Sequence, residues 1–321
     1  MQLNLPILHL LKDCKKILIA GAGGGFDIFA GLPLYFTLRD MGKTVHLANY
    51  TFSDFNIAKV ISKPEPLIET LLMGAQGTVN HPIMYYPEGY LAQWFEVERG
   101  EKVPIWMFAK TGVEPLTMCY KTLIKHLGGV DALILVDGGV DSLMRGDEMG
   151  AGTLMEDTIS LTAAEALDIP VKILACLGFG TEAEEAVCHY NALENMATLA
   201  RLGAFYGACA LTPQMEAFQL YETACRYVWE QPKHAKSHIS TRIIPAVNGA
   251  FGNFDMYGES HSPALISLLM GLYWFFDATV VVKRNLLADD LRKTITAEDA
   301  FRICIQKRMK TNLRPYKSLP Y

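Results

Sequence analysis

The chain has 321 residues, 34 of them acidic and 29 basic, for a formal net charge of −5. Half of its residues are hydrophobic and a fifth are charged. That balance excludes a disordered chain, a collagen-like repeat and a nucleic-acid binder working through a basic surface.

In chain order, Met1–Leu11 is apolar but lacks a basic n-region and a small-residue cleavage site, so it reads as a short amphipathic helix and not a signal peptide. Five apolar runs then end in turn residues: Lys16–Ala20, Lys43–Ala48, Val103–Phe108, Ala132–Val136 and Val171–Leu177. Alternating with helical periodicity, they predict βαβ units and a parallel sheet. Tyr86, Tyr90 and Trp94, spaced four apart behind Pro87, form a core stripe or a base-stacking platform. Thr153 with Glu156 and Thr181 with Glu184 have capping-box spacing and predict helix starts. Two helices follow between residues 186 and 230, taking in Phe205 and Tyr206, and a strand is expected over Ile239–Val247. Gly258–Ser262 lacks the last glycine of a nucleophile elbow. The most apolar stretch, Ala264–Val282, is interrupted by Asp277 and is too short to span a bilayer; it predicts a buried helix (264–276) and then a buried strand (279–282). The fold expected is one Rossmann-like, doubly wound α/β domain over residues 1–321, with a mostly parallel sheet and a helical C-terminal elaboration.

Seven cysteines without CxxC spacing give neither a zinc site nor a disulfide framework, and point to a cytoplasmic protein. In open parallel sheets ligands bind beyond the carboxyl ends of the strands, so three glycine-bearing turns should share one rim. The first, Gly21–Asp27, has two glycines of a dinucleotide fingerprint, but Phe26 stands at the third position. Asn49 stands where the ribose-binding acid would be, which argues against NAD. The N–H groups of Gly23, Gly24 and Gly25 could hold a phosphate or carboxylate, or the turn simply needs positive φ. Asp27 is either part of this site or the N-cap of a helix from Ile28.

The second turn carries Asp137, Gly138, Gly139, Asp141, Arg145, Asp147 and Glu148, then Glu156 and Asp157. Asp137 and Asp141 would bind Mg or Mn or act as acid and base, Asp147 and Glu148 would tune them, and Arg145 would orient the substrate. The third turn offers Gly178, Gly180 and Glu182, with His189 two helical turns on and Cys176 as a buried thiol. His238, Ser240 and Arg242 would share one face of the 239–247 strand, with Asn248 in the turn beyond.

Gly23-Gly24-Gly25-Phe26-Asp27, Asp137-Gly138-Gly139-Val140-Asp141, Arg145-Gly146-Asp147-Glu148, Ser240 with Arg242, Tyr273-Trp274-Phe275-Phe276-Asp277 and Arg284-Asn285 together resemble an uncharacterised family, domain of unknown function 1152. The resemblance covers nearly the whole chain and implies one domain, without an activity. A shorter similarity, to D-glutamate cyclases, rests on Asp137-Gly138-Gly139, Asp141 and Met149-Gly150. As a similarity of loops it carries no substrate.

The residues therefore suggest a lyase or hydrolase acting on a carboxylated or phosphorylated metabolite. A ligand-binding sensor with the same pocket and an acidic protein-interaction surface stay open. No nucleic-acid or membrane partner is expected, and homo-oligomerisation is left open. Six acids and one base between Asp137 and Asp157 carry the whole charge excess, so the rest of the chain is neutral.

Overall fold

A computed structural model of the chain describes residues 6–80, 85–182, 186–231, 236–253 and 264–319. The strands in chain order are β1 (Lys16–Gly21), β2 (Thr44–Tyr50), β3 (Glu65–Ile68), β4 (Leu72–Ala75), β5 (Ile105–Phe108), β6 (Ala132–Asp137), β7 (Val171–Leu177), β8 (Phe205–Ala210), β9 (Gly252–Asn253), β10 (Leu265–Ile266) and β11 (Leu272–Asp277). Nine of them form one sheet in the order β3-β4-β5-β2-β1-β6-β7-β11-β8. The five central strands, β5 to β7 in that order, run parallel, and the flanking strands pair antiparallel. This is a Rossmann-like α/β fold, and all five apolar runs read from the sequence lie in its parallel centre.

Alternation explains why the central strands are apolar throughout. In β1, Ile17 and Ile19 enter the core on one face of the sheet, and Leu18 and Ala20 enter the core on the other. In β6, Ile134 and Val136 face one core while Leu133 and Leu135 face the other. A strand covered by helices on both sides needs apolar residues at both parities.

Strand order reverses between β1 and β6, the point at which connections leave to opposite sides and open a crevice at the strands' carboxyl ends. The first glycine turn leaves β1 and the Asp-Gly-Gly turn leaves β6, so the two turns predicted to carry chemistry flank that crevice.

The C-terminal third departs from the expected elements. The stretch read as helix then strand is the reverse: β10, a short 3-10 turn (Leu268–Gly271) and β11 precede the helix Ala278–Arg284. The aromatic run of β11 fits the slot between β7 and β8. Asp277 then accepts a hydrogen bond from the Val280 N–H (3.1 Å) and starts a helix through β-branched residues. Ile239–Val247 is also a helix, Ser240–Val247, with Ile243, Ile244 and Val247 buried. Phe205 and Tyr206 open β8 and do not extend the preceding helix, His189–Arg201. Thr181 and Glu182 lie in no helix; Thr181 Oγ1 donates to the Gly178 carbonyl and holds the turn, and residues 183–185 lie outside the described residues. Glu184 and Gly258–Ser262 lie outside the described residues.

The helix Pro87–Arg99 buries Tyr86, Tyr90 and Trp94 as a core stripe. No helix among the described residues is long and apolar enough to cross a membrane.

Candidate functional site

Four adjacent strands, β2, β1, β6 and β7, deliver their carboxyl ends to one cavity of about 290 Å³. Its lining includes Gly23–Asp27 after β1, Phe52 after β2, Asp137, Gly138 and Asp141 after β6, and Glu182 after β7. The three turns expected on one rim do meet.

Four carboxylates line it, Asp27, Asp137, Asp141 and Glu182, and a fifth, buried Asp157, lies behind them with an oxygen within 4.8 Å of oxygens of Asp27 and Asp137. Asp27 takes the Gly23 N–H on Oδ2 (2.6 Å) and the Gly138 N–H on Oδ1 (3.2 Å), which ties the β1 and β6 turns together. Asp137 accepts from the Ser142 hydroxyl and, at 3.2 Å, from the Ser142 N–H. Asp141 Oδ2 accepts from the Thr153 N–H (2.6 Å) and hydroxyl (2.7 Å). Glu182 takes the N–H groups of Val140 (2.8 Å) and Asp141 (3.1 Å), bracing the β6 turn from β7. Asp157, in the first turn of the helix Leu154–Glu165, is buried, and neither of its carboxylate oxygens has a hydrogen-bond partner among the described residues.

Such crowding should make the acids hold protons. Burial first, and the charge of Asp141 second, push Asp137, Asp157 and Glu182 well above the ordinary carboxylate range and Asp27 to about 7. Among the described residues, none of the five forms an ion pair with a lysine or arginine.

One oxygen each from Asp27, Asp137 and Asp157 lies within 4.8 Å of the others. An oxygen-bound divalent cation sits about 2.0–2.6 Å from its ligands, so their mutual separations stay below roughly 5 Å. The trio meets that bound. The expected metal pair was Asp137 and Asp141; the oxygens that gather are those of Asp137 with Asp27 and Asp157, while Asp141 is engaged by Thr153. Gly23 leaves room for the cluster, because a Cβ there would lie 2.7 Å from Asp157 Oδ1 and 3.0 Å from Asp27 Oδ2.

The first glycine turn differs from the expected anion cradle. The Gly23 N–H already holds a carboxylate, that of Asp27. Asp27 itself is the first residue of the short helix Asp27–Ala30, and its side chain reaches back to Gly23 and across to Gly138 instead of capping. Gly24, at φ +100°, lies against the Phe52 ring, 2.7 Å from where its Cβ would be. Asn49 braces the turn by donating to the Gly25 carbonyl (2.8 Å) and to the buried Glu88 (2.7 Å).

Three residues assigned to this site belong to another cluster. Asp147 accepts from Arg314 (2.8 Å), and buried Glu148 accepts from Arg314 (2.6 Å), Asn195 (2.8 Å) and the N–H groups of Arg145 and Gly146. Arg145 pairs at 3.7 Å with Asp147. None of the three lines the cavity.

Of the remaining candidates, Gly139 packs against the Glu182 carboxylate, which lies 2.4 Å from where a Cβ would be. Arg242, buried in its helix, donates to the Thr181 carbonyl and so steadies the Gly178–Glu182 turn, in which Gly178 and Gly180 both take positive φ. His238 lines the cavity mouth, exposed, together with Lys236, Ser237 and Ile239. His238, Ser240 and Arg242 do not alternate on a strand, because this segment is a helix start. Asn248 caps the far end of that helix and bonds Glu222 (3.3 Å), about 12 Å from the cavity end. His189 starts its own helix, which Glu182 does not share, and packs against Phe179 with the rings tilted, centroids 5.2 Å apart. Cys176 is buried beside Ser142 Oγ (3.4 Å), and burial raises its thiol pKa well above the usual range.

Asp157 was named in the acidic stretch without a role, and Phe52 was not singled out. Asp157 was legible in principle: the helix Leu154–Glu165 carries no charge between Asp157 and its last residue, so a helix buried almost all round had to bury that acid. Phe52, one residue among polar neighbours, gave no pattern.

No match was found among curated proteins or among solved structures. Residues 87–317, which include the second and third turns and the acidic helix, match the family model described as "Protein of unknown function (DUF1152)", and the chain belongs to that family.

Proposed function

We propose that this protein is a divalent-cation-dependent enzyme of lyase or hydrolase type, acting on a small phosphorylated or carboxylated metabolite. The observation that carries the reading is a set of five acids at the switch-point crevice with no basic partner among the described residues, one of them buried with both oxygens unbonded. An uncompensated buried carboxylate is costly; a bound cation would offset that cost. Asp27, Asp137 and Asp157 would hold Mg²⁺ or Mn²⁺, whose charge would bind and polarise the substrate's anionic group. That route replaces direct capture by Gly23, Gly24 and Gly25, since the Gly23 N–H is occupied by Asp27.

Asp141 and Glu182 line the same cavity outside the trio. With its raised proton affinity Glu182 would donate a proton to a leaving group, and Asp141, fixed by Thr153, would accept one from the substrate or from water. Seven free thiols, six of them buried, support a reducing, cytoplasmic setting.

A second reading, a sensor without turnover, draws on the backbone and hydroxyl bonds that already occupy Asp27, Asp137, Asp141 and Glu182. The test is Mn²⁺ titration by calorimetry, followed by product detection over a panel of phosphorylated and carboxylated metabolites, with Asp141→Asn alongside. Saturable Mn²⁺ binding and turnover lost in folded Asp141→Asn are expected. Metabolite binding without product would favour the sensor, and absence of Mn²⁺ and Mg²⁺ binding at millimolar concentration would sink the cation-dependent enzyme.

A further inference from the structure

We infer that the substrate of this site carries a planar ring beside its anionic group, and that Phe52 is the platform on which the ring stacks; this rests on the cation-site reading above. Phe52 is 45% exposed, whereas the residues on either side of it, Thr51 and Ser53, are buried. Its exposure is built in. The Thr51 N–H donates to the Phe108 carbonyl (2.9 Å), the Ser53 N–H to Thr51 Oγ1 (2.9 Å), and the Ser53 hydroxyl to buried Glu88 (2.7 Å). Both flanks of the ring are therefore pinned while the ring itself stands at the cavity wall.

The backbone behind the ring is shaped to it. Gly24 has no side chain to hold the ring away, and Gly25 lies close by, 3.5 Å from the ring where its Cβ would be. Phe26 and Tyr85, edge to face at 5.8 Å, line the same cavity. An aromatic wall thus meets the carboxylate cluster across a single turn: Gly23 backs Asp157 and Asp27, and the next residue backs Phe52. The two backing glycines are consecutive, with Cα atoms about 3.8 Å apart, so the ring and the carboxylate cluster pack against neighbouring residues of one turn. Phe52 also lines a second, adjoining cavity of about 320 Å³ with Thr51, Ser53, Thr70 and Lys110, so a stacked ring would have room beyond it. Lys110 Nζ, paired with Glu156 at 2.8 Å, lies over the ring 4.8 Å from its centroid, so a stacked base would take the place of this exposed ammonium.

A phosphate held by the cation, a sugar across the Gly23–Gly24 turn and a base on Phe52 describe a nucleoside monophosphate, the chemistry this wall fits best. Base-on-aromatic stacking contributes at least about fivefold in affinity. The experiment is calorimetric titration of the full chain, in saturating Mn²⁺ and again in chelator, with adenosine 5′-monophosphate and with ribose 5-phosphate, which lacks the base. Wild type, Phe52→Ala and Phe52→Trp are compared, with circular dichroism confirming that each is folded. The expected result is a preference for the nucleotide of about fivefold or more in wild type, lost in Phe52→Ala and kept in Phe52→Trp. Equal affinities in wild type, or a preference that survives Phe52→Ala, would overturn the ring platform while leaving the cation site standing. A preference that depends on Phe52 but not on Mn²⁺ would support the platform and sink the cation reading. Failure of both ligands to bind would overturn the two together.

Discussion

Two acidic clusters grow from the same stretch of chain and settle their charge in opposite ways. Asp147 and Glu148 sit among Arg145, Arg308 and Arg314; Arg308 grips the Gly146 and Glu148 carbonyls, and Arg314 reaches three carboxylates, Asp147, Glu148 and Glu194. Asp137 and Asp141, a few residues earlier, sit with Asp27, Asp157 and Glu182 and are given only N–H and hydroxyl donors. The first cluster clamps the C-terminal segment onto the loop, since the Arg314 and Glu148 backbones also form a β-bridge. The second stores like charge in a cavity. What separates the two clusters is therefore counter-charge, and not burial, which Glu148 and Asp157 share.

The largest expected effect falls on the clamped cluster. Removing one partner from a buried ionic network leaves the others uncompensated, at a cost of about 3–5 kcal/mol. With Arg314 partly exposed, Glu148→Ala should lose about 3 kcal/mol in urea denaturation, with Mn²⁺ affinity per folded molecule unchanged. A matching fall in Mn²⁺ affinity would merge the two clusters into one functional unit.

Asp157→Asn should do the reverse. Losing one of three carboxylate ligands is expected to weaken Mn²⁺ binding by about a hundredfold, roughly 2.7 kcal/mol. The cation-free protein should be more stable by up to about 1 kcal/mol, because the amide stays neutral at every pH and can donate to a neighbouring carboxylate. A purely structural Asp157 would show lower stability and the same Mn²⁺ affinity.

Protonation offers a third way to separate the clusters. Asp27 binds its proton up to about 7 in the folded state against an ordinary 3.8, and burial with the charge of Asp141 raises Asp137, Asp157 and Glu182 in the same direction. Between those limits the folded chain holds protons that the unfolded chain has released, so stability is lost as pH rises. His46 and His189, whose proton affinities burial lowers, act in the opposite sense only at lower pH. With chelator present, unfolding free energy should fall by about 1–2 kcal/mol from pH 6.5 to 8.5, and Mn²⁺ should restore it. A flat profile in chelator would mean that the cavity acids are compensated like those beside Arg314.

How much of this was legible in the sequence follows from which forces act locally. The parallel core was readable because strands buried on both faces must be apolar at both parities, and the glycine turns mark where those strands end. The Ile239–Val247 segment and the 264–282 stretch were misread because short apolar runs have no periodicity that separates helix from strand. There the outcome was set by the slot between β7 and β8 and by the Asp277 cap. The acidic loop was found as a unit, but its division was invisible, since Arg308 and Arg314 lie some 160 residues further along the chain. Asp27 was seen at the right place, though its reach to Gly138 is a tertiary bond that no local pattern carries.

Arg145 gives the smallest effect and the sharpest boundary. From the sequence it is the natural residue to orient an anionic substrate, being the lone base among the loop's six acids. In the fold its side chain is partly exposed, its ion pair with Asp147 is long at 3.7 Å, and its Nε is buried without a hydrogen bond. The pair is worth less than about 1 kcal/mol at such exposure, and Arg314 already satisfies Asp147 more closely. Arg145→Gln should therefore change stability by under about 1 kcal/mol and leave both Mn²⁺ and substrate affinity as they are. A tenfold or greater loss of substrate affinity in a normally folded Arg145→Gln protein would show that the arginine-rich cluster reaches the cavity during binding, and the division between compensated and uncompensated acids would no longer describe the site.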